Sequence, residues 1–295
     1  MIMNMTGSGG GKPEFFATAA ETEINGGYLT ASLTWPEKYN DTPLNTTLNL
    51  LINDRTRDML NYAKKIIIPE RFTNVQYGWS GSYYPLWEEL HLLGATTVSL
   101  GLLNNIKNLK KLKFDKWAGT FEGNNCSILA NSTFGQESVS TSFELDCPKV
   151  TRFGPYAVGK ADHVVEMSVN LPAVTDIGAP HTSCNCLRYA TGTWVFPGCK
   201  RIGYYARPSV EQTLKLPAIE TIYEPFTFGE SGTTGKLHLY LGPNATSNYT
   251  SWMTAITSYP QLFDVHIPAG SSSTKTLLDA GSVPYTQDYN YTEDL

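Results

Sequence analysis

The chain has 295 residues, a formal net charge of -5 and a pI near 5.6, with 41% hydrophobic and only 17% charged residues. That length suffices to bury a large continuous core, and the acidic balance excludes a general nucleic-acid binder, which carries a basic face. No run approaches the roughly 18 apolar residues that a bilayer-crossing helix requires, so membrane insertion is not expected.

Taken in chain order, residues 1–12 are a short apolar start followed by the glycine run Gly7-Ser-Gly-Gly-Gly11, a flexible leader. They show no basic n-region followed by a continuous apolar stretch, so no secretory signal is expected there. Residues 13–64 read as an attachment and capping segment. Within it Tyr28-Leu-Thr-Ala-Ser-Leu-Thr-Trp35 alternates and stops at Pro36, which predicts a strand or hairpin. Leu48 to Ile52 is apolar, and Asn53-Asp54 can cap a short helix through Met59, Leu60 and Ala63 that ends on Lys64-Lys65.

From residue 65 to 268 one short phrase recurs: apolar, any residue, apolar, proline, then apolar residues two and five positions later. It stands clearest as Leu145-Asp-Cys-Pro148 with Val150 and Phe153, and as Val169-Asn-Leu-Pro172 with Val174 and Ile177. It returns as Trp194-Val-Phe-Pro197 with Cys199 and Ile202, and as Leu214-Lys-Leu-Pro217 with Ile219 and Ile222. Weaker copies begin at Ile66, Leu90, Leu112, Leu239 and Val265, and successive copies lie 20 to 26 residues apart except for one interval of 33. A period in that range predicts a solenoid in which each unit buries its apolar side only against its neighbours. The long interval holds residues 118–136, expected to be a surface insertion. Thr246 to Tyr259 carries Tyr249, Trp252, Met253 and Ile256 at helical spacing and predicts a covering helix. Residues 269–295 form a Ser-, Tyr- and Asp-rich tail expected to wrap the solenoid or dock on a neighbour.

The stretch Phe153-Gly-Pro-Tyr-Ala-Val-Gly-Lys-Ala-Asp-His-Val-Val-Glu-Met167, with the Leu-x-Leu-Pro strand endings, resembles the BspA-like leucine-rich repeat. That resemblance spans roughly Ile66 to Ile267 and implies an α/β leucine-rich-repeat solenoid of about nine coils, with one parallel β-sheet and short irregular or helical returns. It also implies adhesion or host-surface binding. Separately, the opening Met1-Ile-Met-Asn-Met-Thr-Gly-Ser-Gly-Gly-Gly-Lys12 resembles the N-termini of virion proteins of phages that infect gut bacteria. The two resemblances together imply a virion protein of the tail, baseplate or capsid decoration, attached to other virion proteins through residues 1–64, in a homo-oligomeric assembly, with a host glycan or protein as ligand. The alternatives are a bacterial cell-surface adhesin of the same repeat class and an architectural virion protein without a host ligand.

Side chains alternate along a strand, so the residue between the two apolar positions points outward. The expected exposed row is Ile67, His91, Lys113, Asp146, Asn170, Val195, Lys215, Tyr240 and His266; its polar members are the candidate binding residues. Lys107, Lys110, Lys111 and Lys113, with Lys116 beside them, form a candidate patch for an anionic partner. The pairs Tyr83-Tyr84 and Tyr204-Tyr205, with Trp79 and Trp87, offer stacking platforms. His181, Cys184, Cys186 and Cys199 are of zinc-binding types, but their spacing is not that of a paired Cys-x-x-Cys site. The five cysteines are an odd number and predict reduced thiols rather than a disulfide framework; no metal or cofactor is assigned. No catalytic constellation is legible: Gly-x-Ser-x-Gly is missing, Glu88 and Glu89 are adjacent and face apart on a strand, and no Gly-Lys-Ser/Thr follows the glycine run. A non-enzymatic protein is the expectation.

Overall fold

The structure is a computed structural model that describes residues 18–25, 28–34, 38–39, 42–43, 47–52, 65–68, 70, 72–79, 88–98, 109–121, 142–154, 165–178, 190–203, 205–206, 210–222, 226–227, 235–247 and 256–290. The leader 1–12, the expected helix at 53–64, most of the insertion, Lys107, Tyr83, Tyr84, Trp87, His181, Cys184, Cys186 and Tyr204 lie outside the described residues.

Each copy of the repeated phrase is a strand of one parallel sheet. Its ten strands stack in chain order: Lys65–Ile68, Glu89–Leu92, Lys111–Phe114, Ser142–Asp146, Val165–Asn170, Ala190–Val195, Gln212–Leu216, Leu237–Leu241, Phe263–Pro268 and Thr286–Tyr289. The register follows the repeat, with Leu112 opposite Leu90 and Leu145, Leu145 opposite Val169, and Leu214 opposite both Trp194 and Leu239. Burial alternates along these strands, so Leu90 and Leu92, Leu112 and Phe114, or Leu214 and Leu216 face inward without exposure. Ten strands at about 4.8 Å spacing make this front sheet roughly 45 Å long.

The proline that ends the phrase turns the corner. The N–H groups of Val150, Val174, Cys199 and Ile219 donate to the carbonyls of Cys147, Leu171, Phe196 and Leu216 at 3.1 to 3.3 Å. Each is the closing bond of a four-residue turn, and proline sits second in it, where its fixed φ is already that of the turn and no N–H is needed. After the corner the chain enters a second parallel sheet of two-residue strands: Thr120–Phe121, Arg152–Phe153, Asp176–Ile177, Arg201–Ile202, Thr221–Ile222 and Thr246–Ser247. The glycines that follow extend this ladder, since Gly154, Gly178 and Gly203 donate to Phe121, Phe153 and Ile177 at 2.6 to 2.8 Å. Gly178 adopts φ 72°, a left-handed conformation that suits glycine.

About six turns are therefore closed on both sides, a parallel β-solenoid with little helix. Between the sheets run Phe114, Trp117, Phe121, Phe153 and Phe196, with ring centroids 4.9 to 6.4 Å apart from one to the next. At Trp194 the front ladder gives way locally. The buried indole N–H takes the Met167 carbonyl at 3.0 Å, and Gly192 at φ 149° passes so close that a Cβ there would stand 2.6 Å from the same oxygen.

Two expectations are corrected. The insertion does not begin at residue 118: Trp117 and Phe121 are buried core and Thr120 pairs with Arg152, because the coil needs its rear strand before the chain can leave. The expected helix from Thr246 gives way at its start to the rear strand Thr246–Ser247, although 256–258 is helical and Ile256 is buried. Of the two expectations for the tail, the structure shows the first: it wraps its own solenoid. A helix, Ser272–Ala280, lies across the last turn, where the Thr274 hydroxyl donates to the Gly242 carbonyl at 2.6 Å and accepts from the Ala245 N–H at 2.9 Å. The chain then adds Thr286–Tyr289 as the tenth front strand.

At the other end, Thr47–Ile52 runs parallel to Asn74–Trp79, which pairs in turn with Thr97–Val98. The segment expected to cap the first coil thus extends its rear side. Tyr28–Thr34 forms an antiparallel pair with Thr18–Asn25, as its alternation predicts.

Candidate functional site: the outer face of the front sheet

The residues between the inward pairs form two rows, separated where the ladder gives way before Trp194. Cross-strand register places Ile67 beside His91, His91 beside Lys113, Lys113 beside Asp146, and Asp146 beside Asn170. Farther along, Val195 neighbours Lys215, Lys215 neighbours Tyr240, and Tyr240 neighbours His266. Ile67 and Asn170 are exposed, and His91, Lys113, Asp146, Val195, Lys215 and Tyr240 are half-buried. His266 departs from the expected exposed row at 9% exposure. The Tyr240 ring stacks on it at 4.3 Å and 7°, and the tenth strand brings Asp288 against its other side.

The first half of the face is a lattice of opposite charges. Lys110 meets Glu88 at 2.8 Å, Lys111 meets Glu144 at 2.7 Å, and Lys113 reaches Asp146 at 3.3 Å and Asp115 at 3.7 Å. His91 Nε2 lies 2.9 Å from Asp115, and the Asn170 amide donates to Asp146 at 2.7 Å. The hydrogen bond from Lys113 to Asp146, reinforced by the charges of Asp146 and Asp115, holds the Lys113 ammonium above its ordinary pKa. The expected anionic-partner patch is therefore not a free positive surface: Lys110, Lys111, Lys113 and Lys116 each face a carboxylate on another coil. Sequence distance hid this, because the partners stand 22 to 46 residues away, one or two repeats off.

The second half gathers residues that sequence reasoning missed. His238 stands opposite Asp264, with Nδ1 3.2 Å from the carboxylate, and its Nε2 lies 3.2 Å from Glu211. His266 Nδ1 lies 2.9 Å from Asp288, while its Nε2 is buried without a hydrogen-bond partner and 3.6 Å from Asp264. One ligand atom each from His238, Asp264 and His266 falls within 4.8 Å of the others. Burial pushes the Asp264 carboxyl up, but the hydrogen bond from Lys236 and the charges of His266, Lys236 and His238 outweigh it and keep it below the usual range. The available signal was register: His238 and Asp264 are 26 residues apart, the period of the last coil, so they had to be neighbours.

On the rear sheet Asp176 accepts from Arg201 at 2.8 Å and from the Thr175 hydroxyl at 2.7 Å. Burial raises Asp176, yet those hydrogen bonds and the charges of Arg201 and Arg152 bring it below its ordinary value. Cys199, one of the zinc-type residues of the sequence, is core: burial pushes its thiol up to about 12, and it donates to the Arg201 carbonyl at 3.3 Å. A thiol so held is not poised as a metal ligand. Trp79 and Tyr205 fall in the strands Asn74–Trp79 and Tyr205–Ala206, the latter paired with Phe226–Thr227 in a separate two-stranded sheet.

The geometry defines a class, the parallel β-solenoid with a flat, charge-laced outer face. No known protein family, no curated protein and no solved structure matches the chain. Among the described residues no helix is long and apolar enough to cross a membrane.

Proposed function

We propose that the chain is a non-enzymatic interaction protein whose front sheet presents a broad, rigid face to a macromolecular partner. The observation that carries this reading is the pair of outward rows, Ile67 to Asn170 and Val195 to Tyr240, in which side chains of both signs and an aromatic are held at strand spacing by a single core. Such a surface binds without ordering loops on contact, which removes part of the entropy cost of association. Its charges are already paired across coils, so a partner must match a mosaic rather than a single sign, a source of specificity more than of raw affinity.

The sequence resemblances supply the setting. The repeat is of the BspA-like leucine-rich class, and the chain is a phage virion component of the tail, baseplate or capsid decoration, attached through residues 1–64 and facing a host-surface glycan or protein. What supports the class is the glycine-punctuated, proline-cornered coil; what supports the particle is the leading dozen residues. The test is to search purified particles for the chain by mass spectrometry and to ask whether antibody against residues 142–268 blocks adsorption. Presence with blocking is the expected result. Absence from particles would overturn the virion assignment, and presence without blocking would leave an architectural protein.

A further inference from the structure

We infer that His238, Asp264 and His266 form a binding site for a divalent transition-metal ion such as zinc on the outer face of the last coils. The inference is independent of the function proposed above.

The argument begins with the orphan nitrogen. His266 is buried and its Nδ1 lies 2.9 Å from the Asp288 carboxylate, an acceptor; with the ring proton placed on Nδ1 to meet it, the lone pair falls on the buried Nε2. That nitrogen has no hydrogen-bond partner, and the Asp264 oxygen toward which it points is a lone-pair acceptor 3.6 Å away. A buried, unsatisfied nitrogen opposite a carboxylate is costly unless a cation lies between them. His238 repeats the arrangement in mirror order. Its Nε2 and Nδ1 lie 3.2 Å from Glu211 and from the same Asp264 carboxylate, so with the proton on Nε2 the Nδ1 lone pair is available to a cation held by Asp264. Both imidazoles are thus backed by an outer carboxylate and bring their other nitrogen to the Asp264 carboxylate, His238 Nδ1 at 3.2 Å and the unpartnered His266 Nε2 at 3.6 Å, the pattern by which acids behind metal-ligating histidines orient and strengthen them.

The dimensions agree. Ligand atoms around a tetrahedral zinc ion at about 2.0 Å stand roughly 3.3 Å apart, and the three candidate atoms already lie within 4.8 Å. Closure needs side-chain rotation alone, because neighbouring strands fix the backbones: His238 is the cross-strand partner of Asp264, and His266 of Thr286. Lys236, now 3.3 Å from Asp264, is 41% exposed and swings into solvent as the ion takes over its role of neutralising the carboxylate. Two imidazoles and one carboxylate select a transition metal over magnesium or calcium, which prefer all-oxygen shells. Three protein ligands leave a fourth position for water or for a donor from a partner. Because Asp288 belongs to the tenth strand, the ion also fastens the tail to the solenoid.

The test uses the full-length chain without a histidine tag, stripped with chelator and titrated with zinc by calorimetry, with cobalt as a spectroscopic stand-in. One ion per chain is expected, with a cobalt spectrum free of thiolate charge-transfer bands. His238→Gln and Asp264→Asn, both half-buried positions with near-isosteric replacements, should each weaken binding at least ~10-fold, and Glu211→Gln or Asp288→Asn by about 10-fold or more. Circular dichroism confirms that each variant is folded. At the same zinc concentration, zinc should raise the Tm of the native chain more than that of His238→Gln. Unchanged affinity in both His238→Gln and Asp264→Asn would overturn the site, as would a cobalt spectrum dominated by thiolate bands or no zinc binding by the native chain.

Discussion

Gly242 shows how little room separates successive coils. A Cβ at that position would stand 1.9 Å from the Pro217 carbonyl oxygen of the turn beneath, a backbone atom that cannot step aside. Gly242→Ala should therefore destabilise by more than the usual surface change, about 2 kcal/mol or more, and urea unfolding read at tryptophan fluorescence would check it. Asp176 makes a smaller and pH-dependent contribution. Its folded pKa is lowered, so the unfolded chain binds its proton more readily and stability rises with pH through the carboxylate range. The contribution is fully present above the unfolded value of about 3.9 and disappears as pH falls through the folded one. Asp176→Asn should thus cost up to about 1 kcal/mol at neutral pH and progressively less in acid, measured as the difference in Tm between the two proteins across pH 2 to 7.

Elements are held by inward pairs more than by local propensity. A two-residue rear strand such as Arg152–Phe153 has no stability of its own; it exists because Phe153 is wholly buried between Phe121 and Phe196. Phe153→Ala should cost about 3 to 5 kcal/mol, since the stack on either side cannot collapse without moving whole coils. The loss would show as an earlier urea midpoint. The front strands owe their register to the same inward residues, because a slip by one position would turn Leu145 or Leu214 to solvent and their polar neighbours to the core. The proline corners add pre-organisation at four places but do not choose the register.

As a whole the molecule is close to one-dimensional. Each coil packs mainly on the next, so stability is close to a sum of neighbouring interfaces and the ends are the weak points. The C-terminal end is closed by the helix Ser272–Ala280 and the strand Thr286–Tyr289, with Leu278 and Val283 buried and the Tyr289 hydroxyl donating to the Leu241 carbonyl at 2.7 Å. Removing residues 269–295 would uncover the last coil and leave the Gly242 carbonyl and Ala245 N–H without Thr274. Hydrogen exchange of the truncated chain should then show Leu237–Leu241 and Phe263–Pro268 losing protection while Ser142–Asp146 keeps it. Uniform loss along the solenoid would instead mean that the coils unfold as one unit.

The spacing of Leu145, Val169, Trp194, Leu214 and Leu239 determined a great deal without any coordinates: a solenoid, parallel strands, their register, and which residue of each phrase faces out. It did so because in a stacked coil the neighbour in space is the residue one period away, so a one-dimensional pattern already contains the contact map. Partnerships that cross the repeat at an angle, or join it to unrepeated chain, are not in that pattern. The diagonal contact of His91 with Asp115, the turning of the His266 imidazole toward Asp264, and the arrival of Asp288 beside His266 depend on side-chain reach and on where a non-repeating tail comes to rest. Those were decided by the tertiary structure, since only packing against the finished last coil gives the tail a surface to fold upon.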